Sequence, residues 1–154
     1  MGNPGHRQYL ETQVLTASRE RLVLMLYDGL LRFCREAKAA WEQNDLESAH
    51  NALLRAQNIV LELTYALDRE HGGEFAQRLA QLYGYCYTRL VRANIDRNPL
   101  LVDEVAGLLG DLREAWAEAL AAKDAPSEDA EKSAPAEPAE PRADEARPRV
   151  SLQG

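Results

Sequence analysis

The sequence predicts an all-α protein, an antiparallel up-down-up-down four-helix bundle with a flexible N-terminal segment and a disordered C-terminal tail. Three observations predict it. Apolar residues recur at 3-4 spacing through four stretches of about 23–26 residues, two to four residues separate the stretches, and no segment alternates as a strand would. Helices of that length span roughly 35–39 Å at 1.5 Å per residue, and connections this short force consecutive helices to run antiparallel.

Residues 1–17 precede the bundle and carry apolar residues at Tyr9-Leu10 and Val14-Leu15. Such a segment can be a loose tail, a short helix, or a flap over exposed apolar surface. The first helix, 18–43, opens with Ser18 as N-cap and Glu20 in the first turn, where a negative charge suits the helix dipole. Asn44 and Asp45 mark its end. Its expected core stripe is Leu22, Leu26, Phe33 and Ala37. The second helix, 46–70, repeats as Leu46, Ala49, Leu53, Ala56, Val60, Leu63 and Leu67, the spacing of a bundle helix. Gly72-Gly73 follows, and one glycine can take the left-handed conformation that stops a helix. The third helix, 74–97, aligns Phe75, Leu79, Leu82, Cys86, Leu90 and Ala93. Asn98-Pro99 then reads as N-cap and first residue of a fourth helix ending near residue 122. Its stripe is Leu101, Val105, Leu108, Leu112, Ala115 and Ala119, with Trp116 alongside.

The tail, 123–154, is compositionally distinct. It holds five of the seven prolines, and Val150 and Leu152 are its only large apolar residues. It cannot bury enough surface to offset its chain entropy and is expected to stay disordered. The folded domain is therefore 18–122. The whole chain carries 18 Lys+Arg against 25 Asp+Glu, a net charge of −7, which argues against a nucleic-acid binder. No stretch approaches the ~20 apolar residues of a membrane span, and residues 1–9 lack the apolar core of a signal peptide. Cys34 and Cys86 fall within apolar helical patterns without metal-ligand spacing, so reduced, buried thiols and a cytosolic address are expected.

The informative feature is an excess of apolar surface. On the first helix Leu30, Val23, Cys34, Tyr27, Leu31 and Leu24 extend the stripe to an arc of roughly 200°, where a bundle helix needs little more than 100°. The third helix is widened by Tyr83, Tyr87, Ala80 and Val91. The second carries another row, Leu54, Leu61 and Tyr65, with Gln57 and Asn58 between them. A crowded core with ragged edges accounts for any one of these residues. Three over-wide helices with tyrosines at their margins favour a groove for another amphipathic helix.

Several runs resemble the FliS family of flagellar secretion chaperones. They are Tyr9-Leu-Glu-Thr-Gln-Val-Leu-Thr-Ala-Ser18 continuing into Leu22-Val-Leu-Met-Leu-Tyr-Asp-Gly29, then Leu54-Arg-Ala-Gln57, Gly72-Gly73-Glu74 and Leu90-Val-Arg-Ala-Asn94. The similarity runs in order through residues 9–120. One departure is Arg19, where relatives often have proline; losing that preset first residue weakens the helix start without touching the groove. The resemblance implies a cytosolic bundle that binds the disordered C-terminal segment of flagellin, prevents premature polymerisation and delivers the subunit to the flagellar type III export apparatus. It also implies that the N-terminal segment covers part of the binding surface when flagellin is absent. Carried onto this chain, the segment's contact positions are Tyr9, Val14 and Leu15. The helix-face reading adds Tyr27, Leu31, Leu54, Leu61, Tyr65, Tyr83 and Tyr87 as the bundle's partner-binding residues.

Two other readings compete. A regulatory bundle would use the surplus face for self-association. A carboxylate-bridged metal enzyme would use Glu47-Ser-Ala-His50, but such sites need two Glu-x-x-His motifs and two further glutamates, and one motif is present. No nucleophile stands beside a base and no Gly-rich phosphate loop occurs, so no catalysis, metal or cofactor is expected. Gly29 breaks no periodicity and is expected where a neighbouring helix or partner approaches closely.

Overall fold

A computed structural model describes residues 5–9, 11 and 17–124. Four long helices account for most of them: α1 (Arg19–Glu42), α2 (Leu46–Tyr65), α3 (Arg69–Asp96) and α4 (Pro99–Asp124). Residues 5–9 are helical as well, and among the described residues no strand occurs.

The boundaries follow from local chemistry. The Ser18 hydroxyl accepts from the Arg21 backbone N–H at 3.2 Å and starts α1 as expected. Asn44 takes a left-handed φ of 59°, which turns the chain out of α1. Asp45 then caps α2, accepting from the Ser48 backbone at 3.1 Å. α2 stops at Tyr65, five residues before the apolar repeat suggested. The reason is Asp68, whose carboxylate accepts from the His71 backbone at 3.1 Å and begins a new helix. The glycine pair is accordingly not the stop signal of α2. It lies within α3, where Gly73 leaves helical geometry at φ 60°, ψ −140°, and a regular helix follows from Glu74. Only glycine takes that backbone conformation without strain. Arg97, left-handed at φ 53°, ends α3, and the Asn98 side chain accepts from the Leu100 backbone at 3.0 Å to start α4.

Contacts between helices set their directions. Asp28 meets Arg113 at 2.7 Å and Lys38 meets Asp103 at 2.5 Å, so ten residues forward on α1 is ten back on α4. Along α1 and α2, the Arg19 guanidinium donates to the Ala66 carbonyl and Arg55 stacks over the Phe33 ring. Between these, a Cβ at Gly29 would lie 3.3 Å from the Ile59 Cδ1, which is the close approach expected there. His50 meets Asn94 at 2.9 Å across α2 and α3, and Glu104 of α4 accepts from Arg89 and Tyr85 of α3. The result is an antiparallel four-helix bundle. Exposed ion pairs like these add about 0–1 kcal/mol each, so they fix register more than they stabilise.

The core lies along the bundle axis. α1 contributes Tyr27, Leu30, Cys34 and Ala37, all fully buried. This corrects the expected stripe: of Leu22, Leu26, Phe33 and Ala37, only Ala37 is buried, because the 3-4-3 spacing of the Tyr27 row matches the seam better. α2 follows expectation with Ala49, Leu53, Ala56, Val60 and Leu63, except that Leu46 at its start is exposed. α3 contributes Leu79, Tyr83, Cys86, Leu90 and Ala93, while α4 buries the expected Val105 together with Val102 and Leu109, and Leu101 and Leu108 of the expected row are half-buried. Both cysteines are free, and burial pushes the thiol of Cys34 up to about 12 and that of Cys86 to about 11.

Contacts divide the chain into two units, Met1–Ala117 and Glu118–Gly154. The first contains the bundle described above. Of the second, residues 118–124 are described and form the end of α4. The tail boundary drawn from composition at 122/123 thus falls five residues beyond the boundary set by contacts.

Candidate functional site

Helix α2 carries two apolar rows. The Ala49–Leu53–Ala56–Val60–Leu63 row is buried, and roughly a third of a turn away lies a second, Leu54–Leu61–Tyr65. Leu54 is 39% and Tyr65 79% exposed, while Leu61 is half-buried. The two rows exist because the 3-4 spacing occurs twice in one sequence, and only one face of a helix can point at the axis. Beside them runs α3. The His50–Asn94 contact sets the register, and counting back from Asn94 by helical repeats places Val91, Tyr87, Gly84 and Ala80 on the side turned to α2. Val91, Tyr87 and Ala80 are half-buried, and a Cβ on the exposed Gly84 would meet nothing within 4 Å. An open apolar strip results, one wall from each helix. At its base Gln57 is only 8% exposed, and its carbonyl oxygen has no hydrogen-bond partner among the described residues.

A second concavity of about 340 Å³ lies at the end of the bundle where α1 begins. Its walls are mainly apolar, including Val23, Leu63, Leu67, Phe75, Leu79 and Trp116, with Arg19, Glu20 and Asp68 also lining it. Gly72 belongs to the same wall, and a Cβ there would come within 2.5 Å of the Ala76 Cβ, so this turn needs glycine. After the turn Phe75 is left 66% exposed, although the sequence pattern put it in the core. A leucine-sized side chain entering such a cleft gains about 1.5–3 kcal/mol from burial.

Of the residues expected to bind a partner, the structure brings Leu54, Leu61, Tyr65 and Tyr87 together on the α2/α3 strip. Leu31 is half-buried on the other side of the bundle, on the face of α1 that carries Asp28 and Lys38 toward α4. Tyr9 is helical and 61% exposed. Val14 and Leu15 lie outside the described residues. Tyr27 and Tyr83 are corrected: they are core residues rather than groove margins, at 0% and 1% exposure. Their hydroxyls meet at 2.5 Å, so each satisfies the other's polar group inside the protein and neither needs water. Burial pushes the Tyr27 phenol up, offset in part by the Tyr83 hydroxyl and the Trp116 indole. The same burial raises Tyr83.

Sequence reasoning missed the cleft. Its signals were present in Val23, which widens the α1 arc, and in Trp116 beside the α4 stripe, but the kink at Gly73 that exposes Phe75 was not readable from periodicity.

Among the described residues no three His, Cys, Asp or Glu side chains group as metal ligands. His50 is engaged with Asn94 and His71 with Asp68 at 2.9 Å, which holds the Asp68 carboxyl below its ordinary range. No described helix is long and apolar enough to cross a membrane.

A family model described as flagellar protein FliS matches residues 1–123. The chain is 40% identical over 118 residues to the flagellar secretion chaperone FliS of Bacillus subtilis strain 168, covering 77% of this chain and 86% of that protein. It is 39% identical over 108 residues to the protein of the same name from Salmonella typhimurium strain LT2, covering 70% and 80%. A third relative of that name, from Campylobacter jejuni, is 37% identical over 116 residues, covering 75% and 91%.

Proposed function

Because this chain belongs to the FliS family of flagellar secretion chaperones, we propose that it is a non-enzymatic chaperone of flagellin in the cytosol. It holds the disordered C-terminal segment of flagellin, keeps the subunit from polymerising early and hands it to the flagellar type III export apparatus. The observation that carries this reading is the second apolar row of α2, which stays outside a core already complete without it. Leu54, Leu61 and Tyr65 recur at the spacing that a guest helix can match, and Tyr87 forms the opposite wall. Folding a disordered guest costs several kcal/mol of the gross contact energy, so a broad strip supplemented by the cleft suits the task better than one small pocket. The segment containing Tyr9, Val14 and Leu15 is the flap that competes for the same surface.

The test is titration calorimetry of the full chain with a peptide from the C-terminus of the cell's own flagellin, paired with far-UV circular dichroism. The expected result is a 1:1 complex with a gain in helix. Folded protein that takes up no peptide refutes the reading. Leu54→Ala and Tyr65→Ala are each expected to weaken the complex without unfolding the bundle, since both side chains lie outside the core.

A second reading is favoured by Ile95 and Leu100, which are 67% and 72% exposed at the opposite end of the bundle. There the chain self-associates. Sedimentation velocity decides between them: a tight dimer indifferent to the flagellin peptide supports self-association.

A further inference from the structure

Gln57 is out of keeping with its surroundings. It lies on α2 between the buried row and the exposed row, one turn from Leu54 and one from Leu61. It is more than nine-tenths buried, and its carbonyl oxygen has no hydrogen-bond partner among the described residues. A buried acceptor left this way destabilises a fold by about 1–3 kcal/mol, whereas a methionine of similar shape there carries no such penalty. The register fixed by His50 and Asn94 puts Tyr87, on the facing wall, level with this residue. Gln57 therefore lies midway along the strip, with its oxygen covered by the protein's own atoms.

We propose that Gln57 sets the register of the guest, its side chain turning out toward the strip so that its carbonyl oxygen accepts a hydrogen bond from one uncharged side-chain donor on the bound segment. The inference rests on the chaperone reading and adds to it a specificity-determining residue and the chemistry that residue recognises. Leucine and tyrosine rows tolerate a guest displaced by a turn, because apolar contact is non-directional. One buried polar pair does not, since sliding by a turn strands both partners. A single buried asparagine fixes coiled-coil register in the same way. The donor belongs to a side chain, because the backbone N–H groups of a helical guest are already engaged beyond its first turn. It is the amide of Asn or Gln or the hydroxyl of Ser or Thr. A Lys or Arg donor would have to leave water for a site this enclosed, and the desolvation of a full charge exceeds what one neutral acceptor returns.

The experiment compares full-length wild type, Gln57→Met and Leu54→Ala by titration with the flagellin C-terminal peptide and by thermal unfolding. Gln57→Met is expected to raise the unfolding midpoint by about 5–13 °C and to weaken the complex about 10-fold. Opposite movements of stability and affinity are what a merely structural glutamine would not give. A Gln57→Met protein that binds as tightly as wild type overturns the proposal, and so does one that loses stability and affinity together. Replacing each Asn, Gln, Ser and Thr of the peptide by Ala in turn completes a double-mutant cycle. One position is expected to lose affinity against wild type and nothing further against Gln57→Met, and the absence of any such position also overturns it. Failure of the chaperone reading looks different, because wild type then takes up no peptide. Weakening by Leu54→Ala with none by Gln57→Met leaves the strip standing and removes Gln57 from it.

Discussion

Replacing Tyr83 by Phe removes one oxygen from the centre of the bundle and leaves the Tyr27 hydroxyl enclosed without its partner. The two hydroxyls lie 2.5 Å apart and both side chains are essentially fully buried, so no water takes the vacated place without a cavity being opened for it. Both phenols are pushed up by burial, so the pair is neutral across ordinary pH and the loss is that of a neutral bond. The Trp116 indole beside the Tyr27 hydroxyl is an N–H donor and offers the hydroxyl proton no acceptor. The expected destabilisation is about 1–3 kcal/mol, or roughly 5–13 °C in the unfolding midpoint of a unit near 100 residues. Tyr27→Phe is expected to behave alike. The double replacement strands neither hydroxyl, so its cost is expected to fall short of the two single costs combined by about 1 kcal/mol or more. Urea unfolding followed by circular dichroism on the four proteins measures this directly. Additive single and double effects would refute the reasoning, since they would show two hydroxyls satisfied independently.

Three further outcomes follow from local geometry. The Glu104 carboxyl is held below its ordinary 4.5 by hydrogen bonds from Tyr85 and then Arg89, so the unfolded chain takes up its proton first as pH falls. Its contribution is present above that ordinary value and lost on acidification through the lowered one, and Glu104→Gln is expected to flatten the fall in unfolding midpoint as pH drops below the ordinary 4.5. Gly73→Ala forces a side chain onto φ 60°, ψ −140° and is expected to cost about 1–3 kcal/mol, whereas Gly107→Ala, exposed in mid-helix with nothing near its would-be Cβ, is expected to stabilise by about 0.5–1 kcal/mol. Cys34 and Cys86, buried and with thiols raised to about 12 and 11, are expected to resist a thiol reagent in the native protein at mildly alkaline pH and to react at once in denaturant.

The sequence alone determined the number and order of the helices. Their 3-4 periodicity, the caps at Ser18 and Asn98 and the tight connections are local chemistry, and each acts within a few residues of itself. It also determined that α2 has more apolar surface than one face can bury, since Leu54, Leu61 and Tyr65 repeat beside a seam that is already complete. Tertiary structure decided which apolar arc of α1 faces inward. With about 200° of apolar surface, periodicity allows several rotations of that helix, and the contacts with α2 through Gly29 and with α4 through Asp28 and Lys38 select the one that buries Tyr27. That choice turned Tyr27 and Tyr83 from groove margins into a hydrogen-bonded core pair. The kink at Gly73, the exposure of Phe75 and the unpaired oxygen of Gln57 were decided in the same way. Each depends on what a neighbouring helix offers, and a pattern along one chain records which side chains are apolar but not which of them find a partner.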